Sequence, residues 1–162
     1  MDTPCPPSVL FVCLGNICRS PLAEAALRAE AGGAGLDITV DSAGTGNWHA
    51  GDPPDRRAQA TALRHGSDIS GYVARQVTRD DFTRFTHVFA LDADNLADLR
   101  ALAPAEATAE LALLLDLLPG RAGEGVVDPY YGDADGFETT WRDVSAAAAA
   151  FVASLRKRDA RG

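Results

Sequence analysis

The chain has 162 residues, 46% of them hydrophobic and 23% charged, a balance that suits a single domain over 1–162 with enough chain to bury a core. Its formal net charge of -8 argues against broad contact with nucleic acid or an anionic membrane, so any anion it binds has to be gripped locally. No stretch reaches the roughly 18 uninterrupted apolar residues of a membrane span, and the start, MDTPCPPSVLFVC, lacks the basic region of a secretory signal, so a cytoplasmic location is expected.

Residues 1–7 read as a flexible lead. Ser8 to Cys13, SVLFVC, is β-branched and aromatic and too short for a helix, which predicts a strand buried on both faces. After LGNICR, Ser20 and Pro21 supply an N-cap and an N1 proline, and Leu22, Ala23, Ala26 and Leu27 recur at helical spacing until Gly32 and Gly33. Ile38 to Ser42 reads as a strand, Asp55 to His65 as a helix, and Thr78-Arg-Asp-Asp81 as a capping box opening a short helix. His87 to Leu91 returns to strand, Asp92 caps a helix through Leu102, and Leu111 to Leu115 is apolar enough for a last strand. Phe137, Trp141, Val144, Ala148, Phe151, Val152 and Leu155 trace one face of a final helix. This alternation predicts an α/β fold: a four-stranded parallel sheet with helices on both faces in three layers, and a ligand outside the carboxyl ends of the strands. The loop after Cys13 lies at such an end.

Cysteine usage narrows the chemistry. Cys5, Cys13 and Cys18 are odd in number and bunched at one end, which fits neither a disulfide framework nor a metal finger; reduced thiols, no metal and no cofactor are expected. Cys13-Leu14-Gly15-Asn16-Ile17-Cys18-Arg19-Ser20 joins a thiol to a guanidinium through a loop that runs into a helix N-terminus. Successive backbone N–H groups, the positive end of the helix dipole and the Arg19 fork can together surround a tetrahedral dianion, and Gly15 and Asn16 tolerate left-handed backbone angles. The same field stabilises a thiolate, which makes Cys13 a ready nucleophile near neutral pH. Ser20 can donate to that sulfur or cap the helix, two roles that compete for one hydroxyl.

An isolated Cys-x5-Arg match arises by chance often; here it follows a strand, contains Gly-Asn, and precedes Ser-Pro opening a helix. Cleaving a phosphate ester also requires a proton donor for the leaving oxygen, and Asp128 in Val126-Val127-Asp128-Pro129-Tyr130-Tyr131-Gly132 leads the candidates, although Asp-Pro alone is only a turn signal. His49, His65 and His87 read as surface or capping residues.

From VLFVCLGNICRSPLAEA to DPYYG, through Asp41-Ser-Ala-Gly-Thr-Gly-Asn-Trp-His49, Ala74-Arg-Gln76 and Asp92-Ala-Asp-Asn95, nearly the whole chain resembles the low-molecular-weight protein tyrosine phosphatases. The resemblance implies that Cys13 attacks phosphorus to form a phosphocysteine, Arg19 holds the equatorial oxygens, and Asp128 serves as acid and then as base. It implies that Leu14, Gly15, Asn16, Ile17, Cys18 and Ser20 complete the phosphate loop, that Asn16 and Ser42 brace it, and that Trp48, Tyr130 and Tyr131 line the pocket mouth. Cys18 matches a thiol that can bond to the nucleophile under oxidation. Ile17 accompanies phosphotyrosine activity, where phosphoarginine-specific relatives carry threonine. Tyr72 stands where many members have a histidine in the network behind the loop, near the position of Asp92, so Asp92 is expected to be less well compensated.

The partners implied are phosphotyrosine proteins, with inorganic phosphate or other oxyanions in the loop, and a monomer is expected. A protein arginine phosphatase and an arsenate reductase on the same fold are the rival enzymes; the second lacks a relay cysteine between Tyr72 and Leu91. A non-catalytic phosphotyrosine-binding module would lack the nucleophile or acid, and both are present.

Overall fold

The computed structural model describes residues 6–130, 132 and 134–161. Four parallel strands, β1 (Ser8–Cys13), β2 (Thr39–Gly44), β3 (His87–Ala90) and β4 (Glu110–Leu113), form one sheet in the order β2-β1-β3-β4. β1 is central, which is why its run has no solvent-facing side: Val9, Phe11 and Cys13 enter one core while Leu10 and Val12 enter the other.

The first core is closed by α1 (Arg19–Gly33), α2 (Arg56–Arg64) and α5 (Ala134–Arg161), and the second by α3 (Asp81–Arg84) and α4 (Ala93–Leu102). Phe11 and Phe89 stack at 6.0 Å, and Phe151 of α5 meets Phe89 edge-on at 5.7 Å, so aromatic contacts tie sheet to helix. The three-layer α/β architecture predicted from the alternation of elements is the one observed. No helix among the described residues is long and apolar enough to cross a membrane.

Several strand ends shift by a residue or two, and three boundaries differ from expectation for a local reason. β2 runs to Gly44, two residues past Ser42, because its parallel ladder with β1 continues through Ala43 opposite Val12 and Gly44 opposite Cys13. β4 stops at Leu113, and Leu114–Leu117 forms a 3-10 turn that buries Leu114 and Leu115 against α5. α1 begins at Arg19, with Cys18 at the N-cap and no side-chain cap, so Ser20 is not the cap. Its hydroxyl is taken by the cysteine loop instead. Asp92 caps α4 as expected, accepting from the Asn95 N–H, and Asp55, read only as the start of a helix, caps α2 by accepting from the Arg57 N–H.

Candidate active site

At the carboxyl end of β1 the chain wraps around the Cys13 sulfur. Ser20 Oγ lies 2.9 Å from Cys13 Sγ, and the Asn16 N–H points at the sulfur from 3.3 Å. Asn16 is the one non-glycine residue with positive φ among the described residues, at 59°, and its amide fixes that conformation at both ends. Its Nδ2 donates to Ser20 Oγ at 2.8 Å, and its Oδ1 accepts from the Arg75 N–H at 3.0 Å. Arg75 is anchored in turn, its guanidinium forked onto buried Asp81 at 3.0 and 3.2 Å and bonded to Asp41 at 3.1 Å.

The end of β2 presses directly on the loop. A Cβ on Gly44 would stand 2.8 Å from the Leu14 carbonyl oxygen and 3.2 Å from the Asn16 nitrogen, so only glycine lets the two backbones approach.

Arg19 is buried, and one side of its fork is occupied: Nη1 donates to Asp92 Oδ2 at 2.7 Å and to the Val126 carbonyl at 2.9 Å. Its Nη2 lies 3.7 Å from Asp128 Oδ2. Asp92 therefore caps α4 with one oxygen and aims Arg19 with the other. A cavity of about 310 Å³ opens over the sulfur, lined by Cys13, Leu14, Gly15, Ile17, Cys18, Arg19, Trp48, His49, Asp128 and Tyr130, at the small end of the range for small-molecule sites.

Trp48 is 69% exposed, and its ring lies against Gly46, where any Cβ would collide with the indole. Asp128 accepts the Tyr130 N–H at 3.0 Å, turning the chain so that carboxylate and phenol share one wall. Tyr131, expected beside them, lies outside the described residues. Cys18 also faces the cavity; burial, reinforced by the negative charge of Asp55, pushes its thiol far above the ordinary range and keeps it protonated at neutral pH.

Two expectations about the support behind the loop need correction. Ser42 does not bond to the loop: its hydroxyl donates at 2.7 Å to Glu24 Oε1 on α1, while Arg28 bonds Glu24 Oε2 at 3.0 and 2.8 Å. Tyr72 is not a neighbour of Asp92. It carries the Arg28 guanidinium over its ring at 5.9 Å, on the β2 side of β1, whereas Asp92 follows β3 on the other side and is compensated by Arg19. Asn16, Glu24, Ser42 and Tyr72 meet around a separate cavity of about 70 Å³. Burial raises the Glu24 carboxyl above its ordinary range despite the Ser42 and Arg28 hydrogen bonds.

Sequence reasoning passes over four residues. His49 reads as a surface residue, but it lines the cavity against Gly15. Glu24 carries a readable signal, a charge set among the apolar positions of α1. Arg75 lies inside a segment of the resemblance that implies no role for it. Arg57 gives no signal at all; it bonds Asp55 through Nε and Nη2, each at 3.1 Å, and also the backbone carbonyls of Tyr130 at 2.9 Å and Gly132 at 3.1 Å. Among the described residues no group of His, Cys, Asp and Glu is placed to hold a metal ion.

The family model "Low molecular weight phosphotyrosine protein phosphatase" matches residues 8–161. A low molecular weight protein-tyrosine-phosphatase of Streptomyces coelicolor is 46% identical over 93% of this chain and 94% of its own. The crystal structure of YfkJ from Bacillus subtilis superposes with a TM-score of 0.88 at 40% identity, covering 97% of this chain and 99% of that one. DARP, drosophila arginine phosphatase, superposes with a TM-score of 0.86 at 32% identity, over 91% of this chain and 96% of that one. A thiol, a guanidinium and a carboxylate converge on one cavity in a chain matched almost end to end, and this protein belongs to the low molecular weight phosphotyrosine protein phosphatase family.

Proposed function

We propose that this protein tyrosine phosphatase hydrolyses phosphotyrosine monoesters through a covalent phosphocysteine, with Cys13, Arg19 and Asp128 carrying the chemistry. The supporting observation is the convergence itself: Cys13 Sγ at the cavity floor, and Asp128 in the wall 3.7 Å from the Arg19 fork. In the first step the Cys13 thiolate bonds to phosphorus as the ester P–O bond breaks, and Asp128 gives its proton to the departing phenol oxygen. In the second, water attacks phosphorus, Asp128 takes the proton, and the S–P bond breaks to regenerate the thiolate. Arg19 and the N–H groups of the loop hold the equatorial oxygens where negative charge gathers. The scheme calls for no metal.

Leu14, Trp48 and Tyr130 wall the mouth and suit a flat aromatic ring, and Ile17 leaves an apolar surface beside the sulfur. That surface favours phosphotyrosine over phosphoarginine, within the discrimination of about 1–3 kcal/mol that one such side chain supplies. The need for reduced Cys13 supports a reducing compartment such as the cytoplasm. Phosphate release from phosphotyrosine, phosphoserine and phosphoarginine peptides, with EDTA present, tests the reading. Cysteine-dependent release from phosphotyrosine supports it; release from phosphoarginine alone moves the substrate class, and no release from a folded, reduced sample removes it.

A further inference from the structure

We propose that Arg57 is the positioning residue that ties the acid-bearing loop to the nucleophile loop, a role that rests on Asp128 being the proton donor. The two loops are remote in sequence, and the chemistry requires a carboxyl group in one to reach the oxygen leaving a phosphorus held by the other. Arg57 sits between them at the start of α2. Its Nη2 donates to the Tyr130 carbonyl at 2.9 Å and its Nη1 to the Gly132 carbonyl at 3.1 Å, so it grips the acid loop by backbone, just past Asp128. Its Nε and Nη2 also bond both oxygens of Asp55, and the Asp55 N–H donates to the Ile17 carbonyl at 2.8 Å, inside the cysteine loop.

The result is a continuous strap from Ile17 through Asp55 and Arg57 to Tyr130 and Gly132. The guanidinium lies over the rings of Tyr130 and Phe137, 5.7 and 4.8 Å from their centroids, which fixes its plane against α5 as well. Only a flat fork with several N–H groups serves a carboxylate and two carbonyls at once; a lysine ammonium keeps the charge but not that geometry. Asp55 is responsive to the same contact: burial pushes its carboxyl up, but the Arg57 hydrogen bonds and charge outweigh burial and hold it below the usual range.

A strap of this kind acts on protonation of the leaving group and not on phosphate binding. The test is kcat/KM on aryl phosphates from nitrophenyl to phenyl phosphate for wild type, Arg57→Met, Arg57→Lys, Asp128→Ala and the Arg57→Met/Asp128→Ala double variant, each checked for folding by Tm. Arg57→Met is expected to lose about 10- to 100-fold on phenyl phosphate and less than about 3-fold on nitrophenyl phosphate, with inhibition by inorganic phosphate unchanged. In the Asp128→Ala background it should cost less than about 2-fold more, because the two changes break one function. If Arg57→Met fails to fold, Arg57→Lys carries the test, with the same dependence on leaving group and a smaller loss.

Equal loss across the series, or a full multiplicative loss on top of Asp128→Ala, would make Arg57 merely structural and overturn the strap. If Asp128→Ala discriminates among leaving groups and the folded Arg57 variants do not, the strap alone fails. If Asp128→Ala itself loses equally on all of them, the proton-donor assignment fails and the strap with it.

Discussion

The two loops that meet at the cavity are built in opposite ways. Around Cys13 almost everything is buried and bonded: Asn16, Cys18, Arg19 and Ser20 are each at most 5% exposed, and the left-handed turn at Asn16 is held from Ser20 and Arg75. Around Asp128 the chain is open, with Val127 72% and Tyr130 39% exposed. Its anchors include the Val126 backbone, which donates to the Leu91 carbonyl and accepts from Arg19, and the Arg57 fork. The difference fits the two jobs proposed for these loops. A site for a dianion and a thiolate stabilises charge only if its dipoles are fixed before the ligand arrives, whereas a proton donor has to leave room for an aromatic ring to enter.

The contrast can be broken at either loop. The largest effect is expected from Cys13→Ser, which keeps the cradle and removes the nucleophile: turnover of phosphotyrosine peptide should fall by at least about 10⁴-fold while vanadate or phosphate still binds, as read by steady-state kinetics and calorimetry. Next, Asp128→Ala should lower kcat/KM on phenyl phosphate by about 10²- to 10⁴-fold and on nitrophenyl phosphate far less, since only a poor leaving group needs the proton. Equal losses would assign Asp128 a structural role.

Gly44→Ala sharpens the claim that the cysteine loop is fixed by close backbone contact. The new methyl would meet the Leu14 carbonyl oxygen at 2.8 Å and displace the loop. A loss of about 10-fold in kcat/KM and about 1–3 kcal/mol in urea-unfolding stability is expected. The smallest effect concerns the strap on the acid side. The Asp55 carboxyl is depressed in the folded protein, so its ion pair contributes stability above the ordinary aspartate value of about 3.9 and loses it as pH falls through the depressed value. Wild type should therefore be more stable than Asp55→Asn at neutral pH, and thermal melts should show the gap closing below about pH 4.

The same contrast explains how much can be read from sequence. The nucleophile loop is local: strand, glycine-asparagine turn, arginine and helix start follow one another, so the order of residues alone places Cys13, Asn16, Arg19 and Ser20. That order does not decide between the two uses of Ser20, because the choice between capping α1 and facing Cys13 depends on the Asn16 amide that holds the hydroxyl. The strands and layers follow from alternating patterns and the hydrophobic period. Contacts between distant segments are not legible. Arg57 pairs with carbonyls more than seventy positions away, which no side-chain pattern announces, and the partner of Ser42 is Glu24 on α1. The resemblance puts Tyr72 near Asp92, yet the two flank opposite sides of β1, and only the order of the strands separates them.

The most direct test of the covalent route is to quench the enzyme within milliseconds of mixing with phosphotyrosine peptide and to locate the phosphate by ³¹P NMR and peptide mass spectrometry. Phosphate joined to Cys13 through sulfur, matching a burst of dephosphorylated peptide, is the predicted result. A burst with phosphate on another residue, or turnover with no covalent phosphate at any time, would contradict it.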